Sequence, residues 1–139
     1  MQNFTEGAHG DTIRNESAIY SATGTGRVGF IDADDIAAAA VTALTAGTAM
    51  NADAILTGPE PLSYDDIAAV VSASAGRTVR HVALEPEALL ARLSALGMPP
   101  GYADALVHLD LVISDGAEDR ITTGVMNPTG RRPRSHKVH

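Results

Sequence analysis

Histidines and acidic residues are the groups in this sequence that could carry out acid–base chemistry, and there are five of the former and 17 of the latter. A His-x-Asp spacing occurs at His9 and again at His108. A histidine held beside a carboxylate can serve as a general acid or base in a pocket. His9 and His108 are therefore candidate catalytic residues, together with Tyr20, a hydrogen-bond donor at a predicted strand end. The alternative is a structural role for each histidine, including His81 inside a predicted strand.

Nucleophilic and metal chemistry receive less support from the sequence. There is no cysteine, so a thiolate nucleophile and a cysteine metal site are excluded. The Gly-x-Ser-x-Gly string that marks a nucleophile elbow does not occur. A Ser–His–Asp arrangement built from distant residues stays open. Because no His-rich metal spacing occurs either, we predict no metal-binding residues.

The string Gly24-x-Gly26-x-x-Gly29 matches the dinucleotide-binding fingerprint. That fingerprint works when its glycines join a strand to a helix whose N-terminus faces a pyrophosphate. Here residues 28–31 continue as a predicted strand, and no helix can begin before about Asp32. The glycines are therefore predicted to form a turn between two extended segments, and we predict no cofactor-binding residues in the string.

Three aspartates follow this strand at Asp32, Asp34 and Asp35. They could form a divalent-metal or acid–base cluster. They are also the residues that favour a helix N-terminus, where carboxylates suit the positive end of the helix dipole. We favour capping. The helix that follows, over residues 36–46, is apolar on nearly every face and is predicted to be buried or sandwiched.

Predicted strands alternate with predicted helices, which indicates an α/β fold with an α+β C-terminal part. Strands are predicted at Ala18–Ser21 and over residues 28–31, 53–57, 79–84 and 121–125. About five helices are predicted, over residues 1–13, 32–46, 63–75, 86–96 and 102–114. A sheet of three or four strands this short is incomplete alone. The fold expected is thus a truncated Rossmann-like domain.

The net charge of −7 argues against nucleic acid as a partner. Basic residues gather at the C-terminus, at Arg131, Arg132, Arg134 and Lys137. Residues 131–139 are expected to be a flexible basic tail after a single domain over residues 1–130; the alternative is a tail that docks on an acidic surface of a second subunit. Without a signal peptide or an apolar run of about 18 residues, we expect a cytoplasmic protein with no membrane partner.

Several strings together resemble the NmrA-like family of atypical short-chain dehydrogenase/reductase proteins. They are Asp-x-Asp-Asp-Ile-Ala at 32–37, Ile-Leu-Thr-Gly-Pro-Glu-Pro-Leu-Ser-Tyr-Asp-Asp-Ile-Ala at 55–68, and Ser-Ala-Gly-Arg-x-Val at 74–79. The resemblance continues to Gly-Met-Pro at 97–99 and Thr-Gly-Arg-Arg-Pro at 129–133. Met-Gln-Asn-Phe at 1–4 is similar to a family segment that lies just past the strand closing the cofactor half.

The resemblance implies the substrate-side half of an NAD(P)-binding Rossmann protein. The family's N-terminal glycine-rich loop has no counterpart here, and no lysine stands four residues after any tyrosine. No cofactor is therefore expected in this chain, unless a separate Rossmann half supplies NAD(P). Relatives place the substrate between the two halves. Carried over, this implies substrate binding at Gln2, Asn3, Phe4, Tyr20, Tyr102 and Leu106.

Three functions remain open at this point. The first is a small-molecule-binding domain that homodimerises to cover an exposed sheet and helix. The second is a cofactor-independent isomerase, cyclase or hydrolase acting on a small apolar metabolite. The third is one half of a split NAD(P)-dependent oxidoreductase with a separate nucleotide-binding subunit. Whether the chain is an enzyme stays open, but it is not expected to be an autonomous NAD(P)-dependent dehydrogenase.

Overall fold

A parallel pair of strands forms the centre of the fold in the computed structural model, which describes residues 2–49, 51–125 and 129–135. β1 (Ala18–Ser21) pairs with β4 (Arg80–Ala83) so that Ala18 lies opposite Arg80. β1 is almost wholly buried, as is usual for a parallel strand covered on both faces. The strands predicted at Ala18–Ser21 and around residues 79–84 are confirmed.

Around this pair, the described chain contains five α-helices and two further strands, which confirms the α/β prediction. The short strands β2 (Arg27–Val28) and β3 (Leu62–Ser63) form a separate antiparallel pair. The helices are α1 (Gly7–Glu16), α2 (Ala33–Thr45), α3 (Tyr64–Ala75), α4 (Pro86–Ala95) and α5 (Pro100–Ser114).

The predicted first helix is divided in two. A 3₁₀ turn at Gln2–Phe4 precedes α1, and Met1 lies outside the described residues. The chain turns at Gly7, where φ is +67°, a backbone conformation that favours glycine. A Cβ added at Gly10 would lie 2.7 Å from the Thr5 backbone. The two glycines that weaken a continuous helix therefore allow this turn to pack against α1.

The helix starts follow their predicted caps. The Asp32 side chain accepts a hydrogen bond from the Asp34 amide at 2.9 Å. Before α3, the Ser63 hydroxyl accepts from the Asp66 amide at 3.1 Å, and the Asp66 carboxylate accepts from the Ser63 amide at 2.9 Å. This is the predicted capping box. At the other end, Gly76 has φ of +64° and terminates α3 as predicted.

The prediction that the apolar helix is buried is wrong within the described chain. In α2, only Asp35 and Ala39 are buried. Ile36, Val41 and Leu44 keep 45%, 58% and 86% of their surface exposed. A helix that is apolar all round requires cover on every side, and the described elements cover only one side of α2.

Two predicted strands are also absent from the described residues. Residues 54–57 and 121–125 are extended or turned but belong to no ladder. Isolated hydrogen bonds hold them. The Gly58 amide donates to the Gly29 carbonyl at 3.1 Å, the Thr122 amide donates to the Thr57 hydroxyl at 2.8 Å, and the Thr122 hydroxyl donates to the Ile55 carbonyl. Apolar composition alone does not make a strand, because the ladder requires a neighbour along its length.

Helices α4 and α5 pack together beside the end of β1. Their core contains Ala22, Leu89, Leu93, Ala103 and Val107. The predicted apolar side of α5 differs from the buried one, because Tyr102 and Leu109 are exposed. None of the described helices is both long and apolar enough to cross a membrane.

The described part of the basic tail lies against the first turn of α2. The Arg134 amide donates to Asp35 at 2.6 Å, and its guanidinium pairs with Asp34 at 2.6 Å. Arg131 lies 3.8 Å from Asp35, whose side chain is only 2% exposed. Lys137 lies outside the described residues. The acidic cluster thus caps α2 and also binds the tail of the same chain.

Replacing Asp35 with Ala should release residues 129–135, because it removes the buried acceptor of the Arg134 amide, an interaction worth about 1–3 kcal/mol. Limited trypsin digestion should then cut after Arg131 or Arg134 severalfold faster than in the unchanged protein. Asp104→Ala, an exposed site on α5, is the control. Equal cleavage rates in all three proteins would contradict the anchoring role.

Candidate functional site

A cavity of about 430 Å³ opens between the 3₁₀ turn, α1, α4 and α5. Aliphatic side chains of the core around α4 and α5 form one wall, and the rings of Phe4, His9, Phe30 and Tyr64 form a second, the aromatic wall. Several polar groups interrupt this lining. The polar and aromatic lining residues are Asn3, Phe4, Glu6, His9, Tyr20, Phe30, Tyr64, Tyr102 and Asp110.

The aromatic wall is one connected cluster. The Phe4 ring stacks on His9 with centroids 5.2 Å apart and meets Phe30 edge-on at 5.6 Å. Tyr64 lies 5.7 Å from Phe4 and 5.8 Å from Phe30. These separations and the edge-on geometries are those that aromatic pairs prefer. The cluster therefore fixes the shape of the cavity wall.

Tyr64 stands where the wall meets the core. It is the first residue of α3, so the capping box fixes its backbone. The ring is buried, and no described residue forms a hydrogen bond with its hydroxyl. Burial raises the pKa of Tyr64, and the nearby negative charge of Asp110 raises it further. The hydroxyl thus stays protonated and can donate a hydrogen bond to a molecule in the cavity.

Asp110 lies opposite this wall, on α5. Its Oδ2 accepts a hydrogen bond from the Ala22 amide at 2.9 Å, which joins α5 to the end of β1. Burial raises the pKa of Asp110, while the bond from Ala22 and the charge on His81 oppose the shift. The cavity therefore contains a half-buried carboxylate held in one orientation.

His9 enters the cavity from α1. Burial lowers the pKa of His9, and the neighbouring His81 lowers it further. With its ring stacked on Phe4, His9 contributes mainly a neutral aromatic surface. It remains able to accept or donate one hydrogen bond.

The His-x-Asp spacings do not form pairs. Both lie in helices, where residues two apart point about 200° away from each other. Asp11 therefore faces away from His9 and pairs with Arg14 at 2.5 Å. On α5, His108 is exposed and does not line the cavity, whereas Asp110 does. The candidate His108 is thus on the wrong side of its helix.

A Ser–His–Asp arrangement does occur, built from distant residues. His81 Nε2 lies 2.6 Å from the Ser21 hydroxyl, and its Nδ1 lies 3.0 Å from Asp65. Ser21 is fully buried, bonds Thr23 at 2.8 Å, and does not line the cavity. A nucleophile must reach its substrate, so this network joins β1, β4 and α3 as a structural element.

The other predicted binding residues fall into two groups. Asn3, Phe4, Tyr20, Tyr102 and Leu106 all line the cavity. Tyr20 is already engaged, since its hydroxyl donates to Glu16 at 3.2 Å and the Arg92 guanidinium lies 3.6 Å from its ring centre.

Gln2 belongs to a second cavity of about 450 Å³, on the side of Phe4 and Tyr64 that faces α2. Its side-chain oxygen accepts a hydrogen bond from the Ala33 amide at 3.2 Å.

Tyr64 and Asp110 are the site residues that sequence reasoning did not select. Tyr64 follows a capping serine, and its position at the start of a helix gave no sign that its ring crosses the core. Asp110 was considered only as a partner of His108. On a helical projection of α5, Asp110 shares a face with Leu106 and His108 does not, so the projection distinguishes Asp110 from His108.

Comparisons with known proteins identify relatives over nearly the whole chain. Residues 10–128 match the NmrA-like family. The chain belongs to this family. It is 46% identical over 97% of its length to the oxidoreductase YesF of Bacillus subtilis. It is 43% identical over 96% of its length to an agroclavine dehydrogenase of Claviceps fusiformis.

The fold agrees with this family assignment. An NADPH-dependent quinone oxidoreductase of Escherichia coli superposes with a TM-score of 0.85 over 97% of this chain and 48% of its own, at 21% identity. The chain spans about half of each relative, 47% of both the Bacillus and the Claviceps proteins. The Rossmann-like prediction and the family resemblance are confirmed.

A pyrophosphate does not fit the described glycine string of this NmrA-like chain. The turn closes with the Gly26 amide donating to Thr23 at 2.9 Å. A Cβ added at Gly26 would lie 2.2 Å from the Ile113 carbonyl oxygen, and one at Gly29 would lie 2.5 Å from that of Arg120. These glycines let the chain pack against α5 and the segment after it.

The described helix N-termini differ in how well the charge of their first turn would suit a phosphate. α2, α3 and α4 each carry acidic residues in the first turn, and their negative charge would oppose a pyrophosphate. α1 and α5 carry none there, but no glycine loop joins a strand to either. Among the described residues, no group of three or more His, Asp or Glu side chains could hold a metal ion.

Acid should destabilise the fold through His9. Because the folded pKa is lowered below the ordinary 6.5, the unfolded chain binds the proton more readily, and stability falls as pH drops through 6.5 towards the folded value. His9→Phe should show a smaller loss of unfolding free energy between pH 7.5 and 5.5, measured with urea. The exposed-site variant His108→Gln should keep the full loss; identical losses in both variants would refute the assignment.

Proposed function

We propose that this chain is the small-molecule-binding half of an NmrA-like oxidoreductase and that its cavity binds a flat, apolar organic molecule. The observation that carries the proposal is the aromatic-walled cavity. Its volume of about 430 Å³ falls within the range of about 300–1,000 Å³ typical of small-molecule sites. The relatives named as an oxidoreductase and a dehydrogenase support the redox context.

The two walls favour a flat molecule. Phe4 and Tyr64 present rings from one core cluster, while Leu93, Met98 and Leu106 present flexible apolar chains from the other. Rings stack on rings, and methionine adapts its shape to whatever it faces. The Tyr64 hydroxyl and the Asn3 amide could fix the orientation of the bound molecule by hydrogen bonds.

We further propose that NAD(P), if used, is bound by protein outside the described residues, because the glycine string and the helix starts do not suit a pyrophosphate. The exposed apolar face of α2 supports this proposal, because protein outside the described residues could cover it. Ile55 and Ile121 are also exposed, at 50% and 55%. The cavity contains no described histidine–carboxylate pair in hydrogen-bond contact, so we favour binding over cofactor-independent catalysis.

The binding proposal can be tested with prodan, a neutral naphthalene dye whose emission shifts to the blue in apolar surroundings. We expect saturable binding to the full chain. Ala8→Trp should fill the cavity, which Ala8 lines, and weaken binding by about tenfold or more, equivalent to about 1.4 kcal/mol. Ala88→Trp, an exposed position on α4, is the matched control.

Two results would oppose the proposal. Prodan binding that is absent, or equally affected by both tryptophan variants, would remove the cavity as the site. Saturable NADPH binding by the same chain would overturn the part that places the nucleotide site elsewhere.

We also propose that the isolated chain self-associates through the exposed face of α2. Light scattering after size exclusion should give a mass above the 14.3 kDa of one chain. The double variant Val41→Lys, Leu44→Lys should lower this mass, because two charges would be buried without partners. Leu96→Lys, at a leucine that is 60% exposed at the end of α4, should leave it unchanged. A 14.3 kDa unchanged protein would exclude a dimer.

A further inference from the structure

The carboxylate of Asp110 has one oxygen held by the fold and one left to the cavity. Oδ2 accepts the hydrogen bond from the Ala22 amide at 2.9 Å. For Oδ1, the described residues provide no hydrogen-bond or ion-pair partner. A carboxylate can accept about four hydrogen bonds, so most of the capacity of this half-buried group is available to a molecule in the cavity.

The acidic side chains that line the cavity are not balanced by any lining lysine or arginine. Two carboxylates line it, those of Glu6 and Asp110, and no lysine or arginine is among its lining residues. Arg92 lies nearby, but it pairs with Glu16 and covers the Tyr20 ring. His9 is held towards its neutral form. His81 also lies near Asp110, but it does not line the cavity and bonds Ser21 and Asp65. A cation entering the cavity would therefore meet carboxylates and no lining lysine or arginine.

The rings supply a second attraction for a cation. Phe4, Tyr64 and Tyr102 line the same cavity as Asp110, whereas the ring of Tyr20 is already covered by Arg92. The face of an aromatic ring attracts an ammonium group, by about 2 kcal/mol or more where water is excluded. A carboxylate among aromatic faces in an otherwise apolar cavity thus matches a molecule with an apolar skeleton and a protonated amine.

An anion or a neutral molecule fits less well. An anion would face two carboxylates, and a neutral molecule would leave the half-buried carboxylate without a partner, at a cost. A purely structural role for Asp110, holding the Ala22 amide, requires only an acceptor oxygen. An asparagine would supply that acceptor equally well without the charge.

We propose that the cavity selects organic cations, specifically aromatic or alicyclic amines whose protonated nitrogen binds Asp110. The inference rests on the proposed binding function and names its ligand class. In the bound arrangement the ammonium donates to Asp110 Oδ1, and the apolar skeleton lies against the aromatic wall.

The test uses two probes of equal shape, N,N-dimethyl-2-naphthylmethylamine, which is protonated at pH 7, and 2-isobutylnaphthalene, its neutral carbon analogue. Each displaces prodan from the full chain, and the two dissociation constants are compared. We expect the amine to bind about tenfold more tightly or better, since close charge pairs in a partly desolvated site are worth at least that factor.

Asp110→Asn should abolish the difference. The asparagine oxygen can still accept from the Ala22 amide, so the fold should be kept. The hydrocarbon should bind at least as tightly as before, because the cost of leaving a charge without a partner is removed. The amine should lose about tenfold. Asp104→Asn, which removes an exposed charge from the same helix, should leave the affinities for both probes unchanged.

The outcomes separate the two proposals. Equal affinity for amine and hydrocarbon in the unchanged protein would overturn the cation inference and leave the apolar cavity intact as a binding site. An amine preference that survives Asp110→Asn would overturn Asp110 as its partner. If prodan binds in the cavity but the amine does not displace it, the cation inference alone fails; if prodan itself does not bind there, both proposals fail.

Discussion

Rings from five segments of this fold pack against one another, and these ring contacts fix the shape of the site. Phe4 comes from the 3₁₀ turn, His9 from α1, Phe30 from the segment after β2, Tyr64 from α3 and His81 from β4. In a chain with only 4% aromatic residues, most of the large rings are thus concentrated at one point. Small residues elsewhere let helices approach closely, and the rings supply the bulk that those residues lack.

The same rings form a partition. Phe4, Phe30 and Tyr64 line both the cavity that contains Asp110 and the second cavity that faces α2. One side of the partition meets helices α4 and α5, and the other side meets the apolar surface that the described chain leaves exposed. This arrangement explains how half the length of an NmrA-like relative can contain a defined cavity and also a face that lacks cover.

Much of the fold follows from local sequence, because local chemistry fixes it. The Asp32 cap, the Ser63–Asp66 capping box and the glycine at Gly76 predict where helices begin and end, and the structure agrees. The exposure of α2 and the missing ladder at residues 54–57 depend on neighbours, so composition could not predict them. The prediction of a turn holds for the start of the glycine string, where Gly26 bonds Thr23. The strand that follows the turn is only Arg27–Val28, shorter than the predicted 28–31 and ending before Gly29.

The site was less predictable, because it is assembled across the fold. The lining residues Asn3 and Phe4 were expected from family resemblance, and no spacing rule singles them out. His108 and Asp110 looked like a pair in the sequence, yet helical geometry sends them to opposite sides. Tyr64 looked like an ordinary first residue of a helix. Only the tertiary structure brings its ring, which is 7% exposed, into the wall of the cavity.

The contact between the tail and α2 joins Arg134 to Asp35. It limits variation among related sequences more strongly at position 35 than at position 134. Asp35 contributes a buried side chain, so a substitution there loses the acceptor itself. Arg134 contributes its backbone amide, which every residue except proline can supply, and an ion pair with Asp34 between two exposed side chains, which is worth little. Drift at position 134 should therefore be tolerated while position 35 stays acidic. A search for relatives that share this attachment should look for the aspartate, and the basic composition of the tail is a poor guide to it.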